Sequence, residues 1–255
     1  GFAKYGTLAT MDPINEMGAL PTRNHQEGQF EGVKSIGAGA LRKSGRLLTN
    51  KACFACAIAC GRVTKITEEG IARYVVHTSR KNWRMAGEGP EYENAWALGA
   101  ECGVGDQDAI LMANALSNEL GMDPISLGVT IAAAMELYER GVITEAETGV
   151  PLRFGSGEAL LRMVEATGRR EGFGNEIAEG SMRMTARFGH PELFMGVKGQ
   201  EFPAYDPRGL QGMGLGYATS NRGACQLRAF PAGAEVFGKM DRTATEGKAK
   251  LTKKL

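Results

Sequence analysis

Long hydrophobic runs are missing from this 255-residue chain. Its longest apolar stretches, Ile125 to Leu137 and Ala52 to Ala59, fall short of the roughly 18 residues a membrane helix needs. No membrane partner is therefore expected. A secretory leader is missing too, because Gly1-Phe2-Ala3-Lys4-Tyr5 has no basic segment followed by an apolar one. Charge of one sign is not in excess: 30 Lys and Arg against 29 Asp and Glu leave a net +1. Such a balance provides no field to hold nucleic acid or an anionic surface. Proline is scarce, at nine, while the 36 glycines are roughly twice ordinary usage. Without a period in either, collagen-like and low-complexity classes fail. No repeat of 20 to 50 residues is visible, which excludes a solenoid. The three histidines, His25, His77 and His190, are scattered and make no metal-ligand spacing. What remains is a globular profile, 43% apolar and 23% charged, in a chain long enough to bury a core without staples.

Cysteine is present in an odd number: Cys53, Cys56, Cys60, Cys102 and Cys225. An odd count without a leader does not read as a disulfide framework. A reducing compartment, the cytoplasm, is expected instead. Cys53, Cys56 and Cys60 follow C-x2-C-x3-C. In a helical or turn-like path, positions i, i+3 and i+7 point the same way. Three converging thiolates suit an iron–sulfur cube that wants four. Phe54, Ala55, Ala57, Ile58 and Ala59 between them are small or apolar, and would exclude water. Zinc shares the C-x2-C pairing but lacks a second pair here. Three small residues on an apolar helix face is the plainest alternative.

The pattern along the chain is mainly helical. Residues 1–50 read as loop-rich, with turns at Asp12-Pro13 and Leu20-Pro21-Thr22. Ile66 to Ser79 ends in the β-like run Arg73-Tyr74-Val75-Val76-His77-Thr78, so a minor β element is expected near residues 62–79. Helices are expected over Glu91 to Glu101, Asp106 to Leu120, Ile125 to Arg140, Ser156 to Arg170 and Asn175 to Phe188. Ile110, Ala113, Leu116 and Leu120 share one face of the second, and Gly121 stops it. Ser156 can cap the fourth. Short Gly-rich links suit packed antiparallel helices rather than a parallel sheet. Gly121-Met122-Asp123-Pro124 forces a turn and divides the chain into two helical domains, 1–124 with the cysteine triad and 125–255. The glycines from Gly209 to Gly223 would let a backbone or a large rigid ligand come close. The missing initial Met and the unstopped stretch Lys248 to Leu255 read as an internal piece of a longer protein, truncated in its second half; a processed or tagged whole protein is the alternative.

Single residues are ambiguous by themselves. Glu93 lies in the first turn after Gly89-Pro90, where carboxylates usually serve the helix dipole; burial beside Trp96 would raise its pKa towards a working range. Asn118 to Asp123 reads as a helix end with a Gly stop. Arg222 to Arg228, containing Gln226, reads as a turn with two solvated cations.

Together, these pieces resemble the aldehyde:ferredoxin oxidoreductase family of tungstopterin enzymes. The likeness runs in order through Tyr5-Gly6-Thr7, Asn15 to Asn24, the cysteine triad, Gly89-Pro90-Glu91-Tyr92-Glu93, Asn118 to Asp123, and Gly214 to Cys225. It implies the second domain and much of the third of such an enzyme, with a β-rich domain cradling two pterins upstream. The implied reaction oxidises an aldehyde with water to a carboxylic acid and passes two electrons to ferredoxin or a small Fe–S subunit. The implied cofactors are a tungsten (or molybdenum) bis-pterin, a [4Fe-4S] cluster, and a magnesium ion bridging the pterin phosphates. Cys53, Cys56 and Cys60 match three cluster ligands, with the fourth in a D-x-x-G-L-C motif beyond Leu255. The pterin motif D-x-x-G-L-D falls on Asn118, Gly121, Met122 and Asp123. Glu93 falls on an acid assigned to proton movement near the metal. The resemblance allows a homo-oligomer, and a piece without the upstream domain would be inactive alone.

Two departures stand out. Asn118 replaces the first Asp of the pterin motif and can still hydrogen-bond as a neutral partner. Gln226 stands where many members have His in R-G-A-C-H, and Gln cannot shuttle a proton at neutral pH. Gln226 is therefore a candidate for the catalytic set whose role has changed. The rival readings are a non-catalytic Fe–S electron-transfer subunit or scaffold, and a zinc-stabilised helical interaction domain. In the full-length protein, Cys53, Cys56 or Cys60→Ser is expected to abolish the 4Fe absorption and paramagnetic signals. Cys102→Ser is expected to keep them; their loss in that variant would overturn the ligand set.

Overall fold

The computed structural model describes residues 1–77, 87–236 and 238. Among them are fourteen α-helices and three 3-10 helices, with two small sheets, so the chain is mainly α and multi-helical as expected. The amphipathic stretch Lys248 to Leu255 lies outside the described residues.

Residues 1–50 are less irregular than their turns suggest. They carry Phe2–Tyr5, Met11–Glu16, Val33–Ile36 and Ala38–Lys43 as short helices. One or two turns cannot persist alone. These persist because Met11, Ile14, Val33, Ile36 and Leu41 are buried in the common core.

The three-stranded sheet has the order β1 (Leu47–Lys51), β2 (Gly61–Thr64) and β3 (Gly87–Glu88). β1 and β2 are antiparallel, with Lys51 opposite Gly61, so residues 52–60 are the loop of a hairpin. Only β2 falls in the expected β region. Glu68–Arg73 is a helix and Tyr74 to His77 is irregular; Thr78 and Ser79 lie outside the described residues. The physical reason is local. Thr67 caps the helix by accepting from Gly70 N at 3.0 Å, Glu68 and Glu69 favour its first turn, and Arg73 pairs with Glu69 one turn back. Val75, which suggested a strand, is 74% exposed.

The longer helices follow their sequence signals. Gln107–Glu119 is capped by Asp106, whose carboxylate accepts from Asp108 N and Ala109 N at 2.8 and 3.2 Å. Gly121 ends this segment with φ +70°, a conformation that costs glycine nothing. Pro124–Glu139 starts with Pro124 at its first position and Asp123 as its cap. Gly157–Arg169 is capped by Ser156. Two expected helices are broken. Glu91 to Glu101 becomes Tyr92–Ala97 and a 3-10 turn, Ala100–Cys102. Asn175 to Phe188 becomes Gly174–Ile177 and Ser181–Arg187, because Gly180 turns at φ +85° and Ser181 N and Oγ both donate to the buried Glu201 carboxylate. The glycine-rich stretch holds the helix Gln211–Thr219, and its small faces meet protein: an added Cβ at Gly214 or Gly216 would touch Pro207 or Ala229.

Apolar residues on both sides of Pro124 form one continuous core that includes Trp96, Ile110, Leu116, Ile131, Met135 and Val164. Trp96 is fully buried, and its indole N–H donates to Pro21 O at 2.7 Å. The sheet side is tied in by Asp108. Its carboxylate takes two bonds from Arg46, at 2.8 and 2.7 Å, and two from Thr67. Burial pushes the Asp108 carboxyl up, but these donors more than offset it and hold the group below its usual range.

Gly128 marks a tight helix crossing. A Cβ there would stand 2.4 Å from Ala97 O and 2.6 Å from its carbonyl carbon. Those are backbone atoms and cannot swing aside. Gly128→Ala is expected to destabilise the fold by about 1–3 kcal/mol, despite the roughly 1 kcal/mol gained in helix propensity. Thermal or denaturant unfolding measures this; an unchanged or raised stability would show that the two helices slide apart freely.

Candidate active site

The cysteine triad lies in the β1–β2 hairpin loop, not on a helix. Cys56 N donates to Cys53 O at 3.1 Å, and Ala55 and Ala59 adopt left-handed φ of 55° and 48°. Cys53 is exposed, and Cys56 and Cys60 are half-buried; all are free thiols. The expected exclusion of water by the spacers does not occur within this chain, because Phe54 is fully exposed and Ile58 is half exposed. Two residues left-handed within the loop turn its apolar side chains outward. The base of the hairpin is firm. Buried Arg62 donates to the carbonyls of Ala59, Cys60 and Gly61 at 3.1, 3.0 and 2.8 Å, and to Phe2 O at 3.0 Å. Among the described residues, no three His, Cys, Asp or Glu side chains are gathered to hold a metal ion. The loop's donor set is nonetheless three thiols with no carboxylate or imidazole between them. That chemistry fits three corners of an iron–sulfur cube. Cys102 is different: it is fully buried, and its thiol donates to Ala97 O and Gly128 O at 3.4 Å.

Glu93 and Gln226 meet, although they are 133 residues apart. Gln226 Nε2 donates to Glu93 Oε1 at 3.5 Å, and Ala204 N donates to Glu93 Oε2 at 2.9 Å. Both side chains line a cavity of about 400 Å³ whose walls include Ile14, Tyr92, Tyr205, Leu227 and Phe230. Burial pushes the Glu93 carboxyl up from 4.5 to about 8; the Ala204 amide pulls partly against this, and the charge of Asp123 adds to the rise. The expected elevation is present, but its setting differs from a simple contact with Trp96. Beside it, Glu91 accepts from the Thr7 hydroxyl, which itself accepts from Tyr92 N at 2.9 Å. Burial raises Tyr92, Tyr205 and Tyr217 as well, and the Glu93 charge reinforces all three. A carboxyl poised near 8 can accept or release a proton close to neutral pH. Gln226 can orient a partner but cannot take a proton.

Asn118, Gly121 and Asp123 lie elsewhere. Asp123 is exposed and accepts from Ile125 N at 3.0 Å, so it caps the next helix. Asn118 is exposed, with Nδ2 3.5 Å from Glu88 O. Gly121 has nothing within 4 Å of where a Cβ would stand. Together they are a helix stop followed by a cap. The carboxylate of Asp123 and the amide of Asn118 offer polar groups of the kind a pterin edge pairs with, and neither these residues nor the cysteine triad lines the Glu93 cavity.

Sequence reasoning missed Ala204, Tyr205 and Tyr217. Tyr92 Oη donates to Ala204 O at 2.7 Å, and Tyr217 Oη to Tyr205 O at 3.1 Å. The run Pro203-Ala204-Tyr205-Asp206-Pro207, rigid at both prolines, was the available signal.

The folded state binds the Glu93 proton more tightly than the unfolded chain does. Its contribution to stability is therefore full below about pH 4.5 and is lost as the pH rises through about 8. Glu93→Gln removes that loss. Melting curves are expected to show the variant gaining on the parent between about pH 5 and pH 9, by on the order of 1–4 kcal/mol. A constant difference across that range would mean that the carboxyl is not held protonated.

Comparison with known proteins agrees with this organisation. The family described as aldehyde ferredoxin oxidoreductase, domains 2 and 3, matches residues 1–255. The chain is 46% identical over 248 residues to a tungsten-containing aldehyde ferredoxin oxidoreductase of Pyrococcus abyssi, covering 94% of this chain and 38% of that protein. It is 44% identical over 246 residues to the protein of the same name from Pyrococcus furiosus, again spanning 38% of its length. A more distant relative, 25% identical over 183 residues, is the aliphatic sulfonate oxidoreductase WOR-like subunit of the same organism; the match covers 71% of this chain and 27% of the relative. Among solved structures, the active site complex BamBC of benzoyl coenzyme A reductase with 1,5-dienoyl-CoA aligns over 76% of this chain and 28% of its own, at TM-score 0.56 and 15% identity, which shows a shared fold alone. The chain, which spans about two fifths of the length of the curated relatives it matches, belongs to the aldehyde ferredoxin oxidoreductase family.

Proposed function

We propose that the intact protein oxidises an aldehyde and water to a carboxylic acid, releasing two electrons and two protons. The meeting of Glu93 with Gln226 over an apolar cavity carries this reading. When bound, the tungsten bis-pterin supplies the two-electron acceptor, and a [4Fe-4S] cluster relays the electrons to ferredoxin. Within this chain, Cys53, Cys56 and Cys60 hold three corners of that cluster, and Asn118, Gly121 and Asp123 face a pterin edge. The exposed apolar loop supports the cluster reading, because Phe54 and Ile58 call for a cover that this chain does not supply. The Glu93 carboxylate accepts a proton from the water–aldehyde pair, and Gln226 and the Ala204 amide fix its two oxygens. The aromatic and aliphatic walls hold the substrate's carbon chain and exclude water. Residues 1–124 and 125–255 then act as the second and third domains of the enzyme, in the cytoplasm.

The test is Glu93→Gln in the full-length enzyme. Tungsten, pterin and iron contents are expected to stay at parental levels while kcat falls by roughly 10²–10⁴-fold. An unchanged kcat at saturating aldehyde would return Glu93 to a structural role. A parental protein that contains iron and sulfide but neither tungsten nor molybdenum would point instead to an electron-transfer subunit.

A further inference from the structure

Glu93 is aimed by a peptide rather than by a charge. Its Oε2 accepts from Ala204 N, while Tyr92, its neighbour in the helix, donates to Ala204 O. The placement of Ala204 therefore sets the placement of the carboxylate. What holds Ala204 is a chain of contacts leading away from the cavity. Asp206 N donates to Ala19 O at 3.0 Å. The buried Asp206 carboxylate takes the Arg208 guanidinium on both oxygens, through Nε at 3.0 and 3.1 Å and Nη2 at 2.6 Å, and also accepts from Arg208 N at 2.8 Å. The same Nη2 donates to His25 O at 2.6 Å.

That last acceptor is held in an unusual backbone. Arg23, Asn24 and His25 are all left-handed, with φ of 50°, 53° and 61°. For residues with a Cβ this costs on the order of 1 kcal/mol each, so it persists only where the surroundings impose it. They do. Arg23 N and Asn24 N donate to Ala100 O and Glu101 O, at 3.2 and 3.1 Å. His25 Nδ1 lies 2.9 Å from Glu101 Oε1, with both side chains buried, and Asn24 Nδ2 donates to Glu136 at 2.7 Å. A strained turn fixed from several sides presents the His25 carbonyl to Arg208.

We infer that Arg208 is a positioning residue for Glu93, clasping the Pro203–Arg208 segment to the His25 turn so that the Ala204 amide stays on the carboxylate. The inference rests on the proposed proton role of Glu93 for its consequence in turnover, but not for its geometry. The titratable groups that act with Glu93 are Asp123, Tyr205 and Tyr217 from other elements and Tyr92 from its own helix; Glu91 shares the cavity wall. None is a cation. The Ala204 N–H is the shorter of the two hydrogen bonds donated to the carboxylate and pulls its pKa down, so loosening it raises the pH at which Glu93 ionises. Arg208 itself faces Asp206 and Glu101.

The experiment uses the full-length, cofactor-loaded enzyme. The carboxyl stretch of Glu93 is assigned in infrared pH titrations by its loss in Glu93→Gln. In Arg208→Gln the titration midpoint is expected to rise by about one pH unit, a tenfold change in the acid constant. Tungsten and iron contents should be unchanged, and the pH profile of kcat should move with the midpoint. Arg208→Lys keeps the cation without the fork and should raise the midpoint by less. An unmoved midpoint in folded Arg208→Gln overturns the assignment. Should that variant fail to fold, Arg208→Lys alone decides: a raised midpoint supports the clasp and an unmoved one overturns it. If Glu93→Gln keeps full turnover while Arg208→Gln still moves the midpoint, the catalytic proposal falls and the clasp stands.

Discussion

A carboxylate withdrawn from water, with no cation beside it among the described residues, is the constraint on which this structure turns. Burial lifts Glu93 to about 8, and a single backbone amide pulls against that rise. A lysine or arginine partner would have restored an ordinary pKa. The surrounding choices follow. The neighbouring tyrosines keep their protons and give them to backbone carbonyls, at Ala204 and Tyr205. The cavity wall is aromatic and aliphatic, with Glu91 already engaged by Thr7. Positive charge is kept one step back, at Arg208, where it neutralises Asp206 rather than Glu93.

The cysteine hairpin solves a different problem by opposite means. Its base is over-determined: one buried guanidinium collects four carbonyls. Its tip is open, with left-handed alanines and an exposed Phe54. A firm base with an open tip places the thiols at a defined height above the sheet without building a closed cage. That division suits a group whose remaining ligand comes from outside the hairpin. It also explains why the thiols do not form a gathered set in this chain, whereas Cys102, which donates to two carbonyls inside the core, behaves as an ordinary packed residue.

Features that depend on near neighbours were legible in the sequence. The cap at Ser156 and the stop at Gly121 were readable because cap and stop chemistry is decided within one turn of chain. The apolar spacing of Gln107–Glu119 likewise anticipates its buried face. Features decided by distant partners were not legible. The run at Tyr74 to His77 has β-branched residues, but among the described residues no strand pairs with it. The helix expected over Asn175 to Phe188 breaks because Glu201 draws Ser181 into a turn. At the site, Glu93 and Gln226 were found through family resemblance. Ala204 was legible only as part of the proline-bounded run Pro203 to Pro207, because a backbone amide carries no side-chain signature and its value lies wholly in where the fold delivers it.

The Gln at 226 can then be understood against the His that the resemblance leads one to expect. A histidine within hydrogen-bond reach of Glu93 could share its proton, and its cationic form would pull the carboxyl back towards an acidic pKa. Two titratable groups so close would ionise as a coupled pair. Glutamine removes both effects. It is neutral at every working pH, its amide donates at a long 3.5 Å, and it leaves the elevated pKa of Glu93 undisturbed. On the proposed function, glutamine at 226 therefore does not empty the site of acid–base chemistry. On the same reading that chemistry falls to one carboxyl, whose ionisation depends on burial and on the backbone amide of Ala204, and hence on the precision with which the Pro203–Arg208 segment is held.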